Sequence, residues 1–546
     1  MSAAAAEANH RDAREPRAYD AVIVGAGFAG MYQLHVLRDQ LGLSVRVLEA
    51  ADGLGGTWYW NRYPGARCDS ESYYYSFSFS PALEQEWVWS ERYPEQPEIL
   101  RYLNHVADRF ALRPDIQLGT RVVSARFDAA GERWVVTTEA GEVFSAQFLI
   151  TAVGCLSTAN MPAIPGIEGF GGQVFHTGLW PHEGVDFGGK RVGLIGTGST
   201  GIQATPVIAA AAEHLTVFQR TANYSVPARN GPMDEAAQRE IKENYAEIRR
   251  ISRESTNGHP WLIAQESALE VAEEERLARY EDAWEKGGLR FRAAFRDILT
   301  SPEANETAAD FIRRKIRQIV KDPEVAELLT PRDHPFAAKR PPIDTDYFET
   351  FNRDNVLLVD VRRAPILAIE KDGVRTAAGF YPLDIIVFAT GFDAMTGPLL
   401  ALGIEGEGGR SLREYWAGGP RSYLGLQIPG FPNLFTITGP GSPSVLTNMP
   451  TAIEQHADWI AGCIRHMRAE GRRRVETTEA AAEEWGAEVN RAAGATLLPM
   501  ASSSWYLGAN VPGKPRVFMP YAGGMAHYAR VCDAVAAEGY RGFALA

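Results

Sequence analysis

Two glycine-rich loops have the spacing that nucleotide binding requires. Gly25, Gly27 and Gly30 follow the apolar run YDAVIV, and the next apolar run ends at Glu49, 19 residues beyond the last glycine. Glycines at this spacing let the backbone approach a pyrophosphate, and the N-terminus of the following helix presents N–H groups to it. An acid at position 49 binds ribose hydroxyls and repels a 2′-phosphate, so the loop predicts a site for FAD or NAD, not NADP. Taken alone, the same loop is also compatible with an ordinary tight turn.

The second loop makes the opposite charge choice. It follows the apolar run KRVGLI, has glycines at 196, 198 and 201, and is followed 19 residues later by Arg220. A guanidinium is suited to binding a phosphate, so this loop predicts an NADP(H) site. Two complete strand–loop–helix–strand patterns in one chain are far more specific than either alone. The predicted contacts are Gly198, Ser199, Thr200, Gly201, Arg220 and Thr221.

The rest of the sequence supplies strands and helices for two such units. The run RWVVTTEAGEVFSAQFLITAVG predicts a hairpin that returns to the first sheet, and FPNLFTITGPGSP predicts a later return to it. We therefore predict an α/β protein with two Rossmann-like dinucleotide-binding domains, one for FAD and one for NADP. The predicted segments are a disordered tail at 1–18, the FAD domain at 19–155 and 389–546, a linker at 156–190, and the NADP domain at 191–388 with a helical insertion at about 234–330.

Composition excludes several other classes of protein. The net charge is −13, whereas a nucleic-acid-binding protein or one that binds anionic membranes would show a basic patch. The four cysteines are scattered without a CxxC pair, which argues against a disulfide framework, a metal site or a thiol redox centre and favours the cytoplasm. No apolar run approaches the roughly 18 residues of a membrane helix. The absence of a GxSxG motif gives a hydrolase no support.

The segment between the two units, GFGGQVFHTGLWP, is unlike a flexible spacer, which would be Gly/Ser-rich and polar. It fits the pattern FxGxxxHxxxWP at Phe170, Gly172, His176, Trp180 and Pro181. A second pattern, [AG]GxWxxxx[FY]P[GM]xxxD, fits at Gly55, Gly56, Trp58, Tyr63, Pro64, Gly65 and Asp69. With both patterns the chain resembles the type I Baeyer–Villiger monooxygenases, most closely their phenylacetone and steroid monooxygenase branch.

This resemblance implies a reaction and its participants. NADPH would reduce FAD, the reduced flavin would take up O2 as a C4a-peroxide, and the peroxide would attack a ketone to give an ester or lactone through a Criegee-type adduct. Sulfoxidation is implied as a side activity. The partners would be a small-molecule ketone and O2, with no metal, nucleic acid or membrane, and the enzyme would be a cytoplasmic monomer or weak homo-oligomer.

The resemblance also assigns roles to individual residues. Arg340, in HPFAAKRPP, matches the active-site arginine that stabilises the peroxide anion; from the local sequence alone, a surface arginine in a Pro-rich loop is the alternative. Asp69 would pair with Arg340 and orient it. Lys339 would join Arg220 at the 2′-phosphate. Thr197 and Gln203 would lie near the pyrophosphate and nicotinamide of NADP.

Further residues are assigned to the flavin and the substrate. Those implied at the flavin are Gly56, Thr57 and Trp58. Trp505 matches a mobile-loop tryptophan that reaches NADP and the pocket. Leu446, Thr447 and Met449 belong to the loop that shapes the ketone pocket, with ordinary core packing as the alternative. His176 would be a hydrogen-bonding residue of the linker, because this chemistry needs no histidine base.

Three other functions are alternatives for this sequence. An N- or S-oxygenating flavin monooxygenase shares the architecture, but Trp180 and Arg340 argue against it. An NADPH–disulfide reductase would need the CxxC-type pair that is missing. A non-catalytic nucleotide sensor would have no reason to retain Asp69, Arg340 and Trp505 together with both glycine loops.

Overall fold

The computed structural model describes residues 16–546. Its strands are β1 Arg17–Val24, β2 Val45–Leu48, β3 Ile116–Gln117, β4 Val122–Asp128, β5 Arg133–Thr138, β6 Val143–Thr151, β7 Gln173–His176, β8 Arg191–Ile195, β9 His214–Gln219, β10 Val226–Pro227, β11 Ile343–Asp344, β12 Val356–Asp360, β13 Ile366–Glu370, β14 Gly373–Thr376, β15 Gly379–Pro382, β16 Ile385–Phe388, β17 Ile404–Glu405, β18 Leu434–Thr436, β19 Val475–Thr477 and β20 Phe543–Leu545.

The α-helices alternate with these strands in the two nucleotide units and cluster elsewhere. They are α1 Phe28–His35, α2 Thr57–Trp60, α3 Pro81–Glu86, α4 Gln96–Arg109, α5 Ser199–Ala211, α6 Glu235–Glu254, α7 Glu273–Lys286, α8 Pro302–Ile319, α9 Pro323–Leu329, α10 Tyr347–Thr350, α11 Gly397–Leu400, α12 Leu412–Tyr415, α13 Met449–Ala469, α14 Glu479–Gly494 and α15 Met525–Ala537. A π-helical turn, Val36–Gln40, continues α1.

The first sheet has the strand order β17-β4-β5-β6-β1-β2-β3, and β18 also pairs with β6. β1 lies parallel to both β2 and β6, while β5 and β6 form the antiparallel hairpin expected from the EAGE turn. The late strand β18 adds to β6 in parallel, as the return of the chain through FPNLFTIT predicted. The central strand β1 is fully buried at Ala21, Val22 and Ile23, which explains its continuous apolar sequence.

The second sheet is wholly parallel, in the order β12-β9-β8-β16-β7. Its edge strand β7 comes from the predicted linker, and residues 173–176 pair with β16 in register from Ile385 to Phe388. This part of the linker is therefore a strand of the second sheet and not a spacer. The two sheets, each with helices packed against it, confirm the predicted α/β class with two Rossmann-like units.

The helices α6 to α9 fall between β10 and β11, within the stretch predicted to be helical. In α8, Ile312 and Ile316 are fully buried and share one face, as their spacing predicted. The predicted tail was set two residues too long at its end, since Arg17 and Ala18 already pair with β6. The rest of that tail, residues 1–15, lies outside the described residues.

Candidate active site

The first glycine loop faces a second pair of glycines, Gly55 and Gly56. A Cβ on Gly56 would lie 2.9 Å from the Cα of Gly27, and a Cβ on Gly30 would lie 1.8 Å from the carbonyl oxygen of Gly25. Real side chains do not tolerate such contacts, so these positions require glycine. Gly27 is the N-cap of α1 and offers no side-chain oxygen to the first-turn N–H groups. Those groups are available to a phosphate, and the loops form a backbone cradle that fits the pyrophosphate of FAD.

Glu49 follows β2 at the edge of this cradle. Its buried carboxylate accepts the N–H groups of Ala26 at 2.7 Å and Ala51 at 2.9 Å. Burial raises the pKa of Glu49, and the backbone hydrogen bonds oppose that rise. A carboxylate has about four acceptor positions, so two remain for a ribose diol. The predicted role of Glu49 therefore fits the geometry of this site.

The side chains implied at the flavin lie on the short helix α2. Trp58 is buried, and its indole N–H donates to the Tyr75 hydroxyl at 3.2 Å while the two rings meet edge to face. Its neighbour Thr57 is exposed beside Gly56. The arrangement fixes Trp58 as a rigid wall next to the cradle and leaves the Thr57 hydroxyl accessible to a ligand.

The second glycine loop repeats the same steric logic. A Cβ on Gly196 would lie 2.4 Å from the Ala389 carbonyl oxygen, and a Cβ on Gly201 would lie 2.1 Å from that of Gly196. Gly198 is the N-cap of α5, with Ser199 and Thr200 in the first turn. The Thr197 hydroxyl donates to the Thr221 carbonyl oxygen at 2.9 Å and so ties the loop to the end of β9.

Three cations surround the end of β9. Arg220 is exposed directly after the strand, and Lys339 approaches from the Pro-rich loop. Burial lowers the pKa of Lys339, the positive charges of Arg220 and Arg362 lower it further, and Asp333 opposes them. Arg362 donates to the Thr221 hydroxyl at 3.1 Å and pairs with Asp333. Mutually repelling cations held this closely are suited to a dianionic phosphate.

Arg340 and Asp69 form a two-point ion pair between the two nucleotide units. The Arg340 Nε and Nη2 atoms donate to the Asp69 Oδ2 and Oδ1 atoms at 2.5 and 2.8 Å. The remaining Nη1 donates to the Val445 carbonyl oxygen at 2.9 Å. Burial on its own lowers the pKa of Arg340, but attraction and hydrogen bonds to Asp69 outweigh it and raise the pKa. The guanidinium is therefore permanently charged and fixed in orientation.

The hydrogen bond to Val445 ties Arg340 to the predicted substrate loop. Residues Ser444–Leu446 form a 3-10 turn, and Leu446 and Met449 are half-buried against a small apolar cluster. Trp505 packs against the same cluster, with its ring centroid 4.5 Å from that of Tyr506. Thr447, the residue that follows this turn, is buried. The structure thus brings Leu446, Met449 and Trp505 together in one apolar cluster, and Val445 of that cluster accepts the hydrogen bond from Arg340.

The fingerprint segment contacts both units. Trp180 is buried between Phe175 and Phe187 in the core of the second unit, at 5.5 and 6.3 Å between ring centroids. The ring of His182, two residues later, lies 4.8 Å from that of Tyr59 in the first unit. The chain around the fingerprint thus packs on the second unit through Trp180 and on the first unit through His182.

His176 itself ends β7 and turns the chain. Its Nδ1 accepts the N–H of Gly178 at 3.0 Å, and its ring meets Phe392 edge to face. Burial lowers the pKa of His176, so it is neutral at pH 7. Nearby, a Cβ on Gly172 would lie 2.2 Å from the Asp384 carbonyl oxygen, and Phe170 packs against the apolar cluster of the β13-β14-β15 sheet. These contacts fit a structural hinge more closely than a catalytic base.

Comparison with known proteins decides the family. A family described as flavin-binding monooxygenase-like matches residues 18–230. A Baeyer–Villiger monooxygenase of Pseudooceanicola batsensis is 46% identical over 525 residues, which cover 96% of this chain and 95% of the relative. A structure of oxidized steroid monooxygenase bound to NADP is 57% identical, with a TM-score of 0.93, and the match covers 97% of this chain and 99% of that one.

The chain belongs to the Baeyer–Villiger monooxygenases. It is an FAD-containing, NADPH-dependent oxidoreductase that uses O2 to convert ketones to esters or lactones. Another relative, a phenazine N-monooxygenase of Lysobacter antibioticus, is 45% identical over 96% of this chain and 97% of its own length.

Within residues 16–546 there is no group of three or more potential metal ligands, and no helix has the length and apolarity to cross a membrane. A cavity of about 440 Å³ lies between Gly418–Ser422 and α14. It is also lined by Phe518 and Met519, which belong to the apolar cluster against which Leu446 and Met449 pack.

Sequence reasoning missed two residues near the monooxygenase site, Arg362 and Arg292. Arg362 joins the phosphate cations, but nothing in its local sequence, VRRAP, marks it.

Tyr63 was recognised as part of a pattern, but its contact was not predicted. It donates to the Gln203 side chain at 2.7 Å, and Gln203 in turn donates to the Arg67 carbonyl oxygen at 3.1 Å. These contacts link α5 to the loop that carries Asp69.

Proposed function

We propose that Arg340, oriented by Asp69, is the cation on which ketone oxidation by this enzyme depends. The observation that carries the proposal is the two-point ion pair, with its third guanidinium bond directed to the substrate loop at Val445. It brings a fixed positive charge to the place where the flavin unit, the NADP unit and the pocket meet.

The role of Arg340 follows from its charge and its protons. FAD, when bound and reduced by NADPH, supplies the activated oxygen. Arg340 stabilises the negative charge that develops on that oxygen and on the ketone oxygen as the carbonyl carbon becomes tetrahedral. Because its pKa is raised, it does so without giving up a proton. Trp505, Leu446 and Met449 close the pocket against water, which favours transfer of oxygen to the ketone.

We further propose that Arg220, Lys339 and Arg362 select NADPH over NADH. The three side chains converge at the end of β9, where a 2′-phosphate would offset the burial and the mutual repulsion that lower the pKa of Lys339. At the other site, Glu49 disfavours a 2′-phosphate and accepts the ribose of FAD.

A second candidate is N-oxygenation, because a relative of comparable identity carries that name. Oxidation of a nucleophilic amine or thioether needs an electrophilic oxygen that has kept its proton, whereas attack on a ketone needs the anion. A permanently charged arginine that cannot donate its proton favours the anion. Arg340 therefore favours the ketone as substrate.

The test is a competition among substrates. Purified enzyme with FAD and NADPH would be offered cyclic and aryl ketones, a thioether and a tertiary amine, and the products would be identified by mass. We expect esters or lactones from ketones, with the thioether as a slower substrate. Amine oxidation without any ester would contradict the proposal.

The proposal also includes the cellular location and the assembly of the enzyme. Cys68, Cys155, Cys463 and Cys532 are all buried free thiols, which fits a reducing cytoplasm. A monomer or weak homo-oligomer remains the prediction for the assembly. Light scattering coupled to size exclusion would measure it directly.

A further inference from the structure

Arg292 is a buried cation with unsatisfied donors. It lies in the 3-10 turn Gly288–Ala293, and its Nε and Nη2 atoms are buried without a hydrogen-bond partner in the described part of the chain. Its guanidinium lies 5.8 Å from the centroid of the Trp261 ring. Burial and the positive charge of Arg340 lower the pKa of Arg292 to about 10, so it is still protonated at neutral pH. A charge held in this way destabilises a protein unless a ligand compensates it.

The same turn contains a contrasting arginine. Arg290 lies 3.4 Å from both the Glu71 carboxylate and the Tyr73 hydroxyl, and Glu71 is also paired with Arg92. Arg290 therefore has a structural counter-charge that Arg292 lacks among residues 16–546. The lack of a counter-charge is therefore a property of Arg292 and is not shared by Arg290 in the same turn.

Other buried polar atoms around Arg292 share this condition. Both ring nitrogens of His259, the Thr447 hydroxyl and the Asn448 side-chain oxygen are buried and unpartnered within residues 16–546. His259 stacks on Trp261 with ring centroids 5.0 Å apart and planes 6° apart. We call His259, Arg292, Thr447 and Asn448 the polar chamber.

The polar chamber adjoins Arg340. The Asn448 N–H donates to the Asn257 carbonyl oxygen at 2.8 Å, which joins the substrate loop to the segment carrying His259. Asn448 Nδ2 donates to the Tyr74 carbonyl oxygen at 2.9 Å, and the Tyr74 ring meets His259 edge to face. The charges of Arg340 and Arg292 both act on the pKa of the buried Tyr506 hydroxyl. Both guanidinium groups therefore lie near the Tyr506 hydroxyl.

We propose that Arg292 binds a carboxylate on the substrate, so that this enzyme oxidises oxo acids whose anion lies at Arg292 while the carbonyl lies at Arg340. The proposal rests on the proposed function. A planar guanidinium with two vacant donors matches a carboxylate in a two-point pair. Thr447 and His259 can add donors to the same group.

The test compares a charged and an uncharged substrate with the same ketone ring, 4-oxocyclohexanecarboxylate and its methyl ester, in wild type and Arg292→Met. For the carboxylate we expect KM to rise about tenfold or more in the variant, the effect of losing a charged hydrogen-bond pair. KM for the methyl ester and for NADPH should stay nearly unchanged. Because the variant removes an uncompensated charge, its unfolding midpoint should rise.

Arg290→Met is the matched control, since it lies in the same turn but has a counter-charge. We expect it to lower the unfolding midpoint and to affect both substrates alike. Equal changes of KM for the carboxylate and the methyl ester in Arg292→Met would overturn the proposal. So would a rise in KM confined to NADPH, because Arg292 would then serve the cofactor.

Calorimetric binding separates this proposal from the proposed function. With enzyme loaded with FAD and NADP+, the carboxylate should bind wild type at least about tenfold more tightly than Arg292→Met. Equal binding overturns the role of Arg292 irrespective of turnover. If wild type binds the carboxylate in this manner but forms no ester, the carboxylate site stands and the proposed ketone oxidation fails.

Discussion

At the scale of residues, charge determines which dinucleotide each loop accepts. Arg220 is exposed after β9 and belongs to a cluster whose other cations are partly neutralised by Asp333. We expect Arg220→Ala to raise KM for NADPH about tenfold and to leave KM for NADH nearly unchanged, since only NADPH has the 2′-phosphate. Steady-state kinetics with both coenzymes measure this. Arg363→Ala is a suitable control, because that side chain is 82% exposed; equal effects of Arg220→Ala on both coenzymes would contradict the assignment.

A buried acid behind the active-site loop predicts a pH dependence of stability. Asp344 accepts hydrogen bonds from Ser225 and Tyr347, but burial raises its pKa from 3.8 to about 7. The folded state therefore favours the protonated acid, and the associated stability is present below about pH 4 and lost as pH rises to about 7. The loss is at most about 4 kcal/mol. Urea unfolding of wild type and Asp344→Asn between pH 4 and 8 would show that the free energy of unfolding of the wild type falls relative to that of the variant as pH rises. A difference that does not change with pH would disprove it.

Only some of these residues could be predicted from the sequence. Asp69 is found because it stands at a fixed offset in a recognisable pattern, and Arg340 because its segment resembles that of a known family, although their pairing spans 271 positions. Arg362 and Arg292 belong to no pattern. Arg362 is notable for contacts with residues that are distant in sequence, and Arg292 for buried donors without a partner among the described residues. Such information exists only after the chain has folded.

At the scale of elements, the glycine loops depend on backbone contact. A Cβ on Gly30 would overlap the Gly25 carbonyl oxygen at 1.8 Å, so Gly30→Ala must displace α1 from the loop. We expect the purified variant to lose most of its bound flavin and to unfold at lower temperature. Absorbance of the flavin and a thermal melt measure both effects.

The control for that experiment is Gly486→Ala. Within the described chain a Cβ on Gly486 meets no atom within 4 Å, and the residue lies inside α14. This change should preserve the flavin and stabilise the helix slightly, by roughly 0.5–1 kcal/mol. Full flavin content in Gly30→Ala would refute the steric argument.

The strand β7 could not be predicted from its sequence pattern. Its sequence, QVFH, is too short for a period of two to be recognised, and the glycines before it favour a loop. It becomes a strand because β16 offers an open edge with which it pairs in register. By contrast, β1 and β8 were predicted well because buried parallel strands have continuous apolar sequences. The strand β6 was predicted from the hairpin pattern.

At the scale of the whole molecule, polar contacts connect the two nucleotide units. Asp69 and Tyr63 come from the first unit, and they contact Arg340 and Gln203 of the second. We expect Asp69→Asn to lower the free energy of unfolding by about 2 kcal/mol, since it leaves Arg340 charged and partly buried without its counter-charge. Chemical denaturation would measure the loss. The control is Asp384→Asn, because Asp384 pairs with Arg191 at the surface. If Asp69→Asn lost no more stability than Asp384→Asn, the expectation would be contradicted.

The presence of two successive sheets along the chain was predictable, because repeated strand–helix–strand patterns permit few topologies. Their relative arrangement was not, because it depends on side chains such as His182 and Tyr59 that meet only across the molecule. The family resemblance supplied what local sequence could not, namely that Arg340 lies at the site at all.

The central claim is that Arg340 serves the oxygen-transfer step and not the reduction of the flavin. The most direct measurement follows Arg340→Ala in two parts: flavin bleaching by NADPH without oxygen, and ester formation from a ketone in air. The account predicts that the flavin is still reduced, while ester formation falls by at least about a hundredfold, the usual effect of losing a group that stabilises developing negative charge. Ester formation at the wild-type level would contradict it.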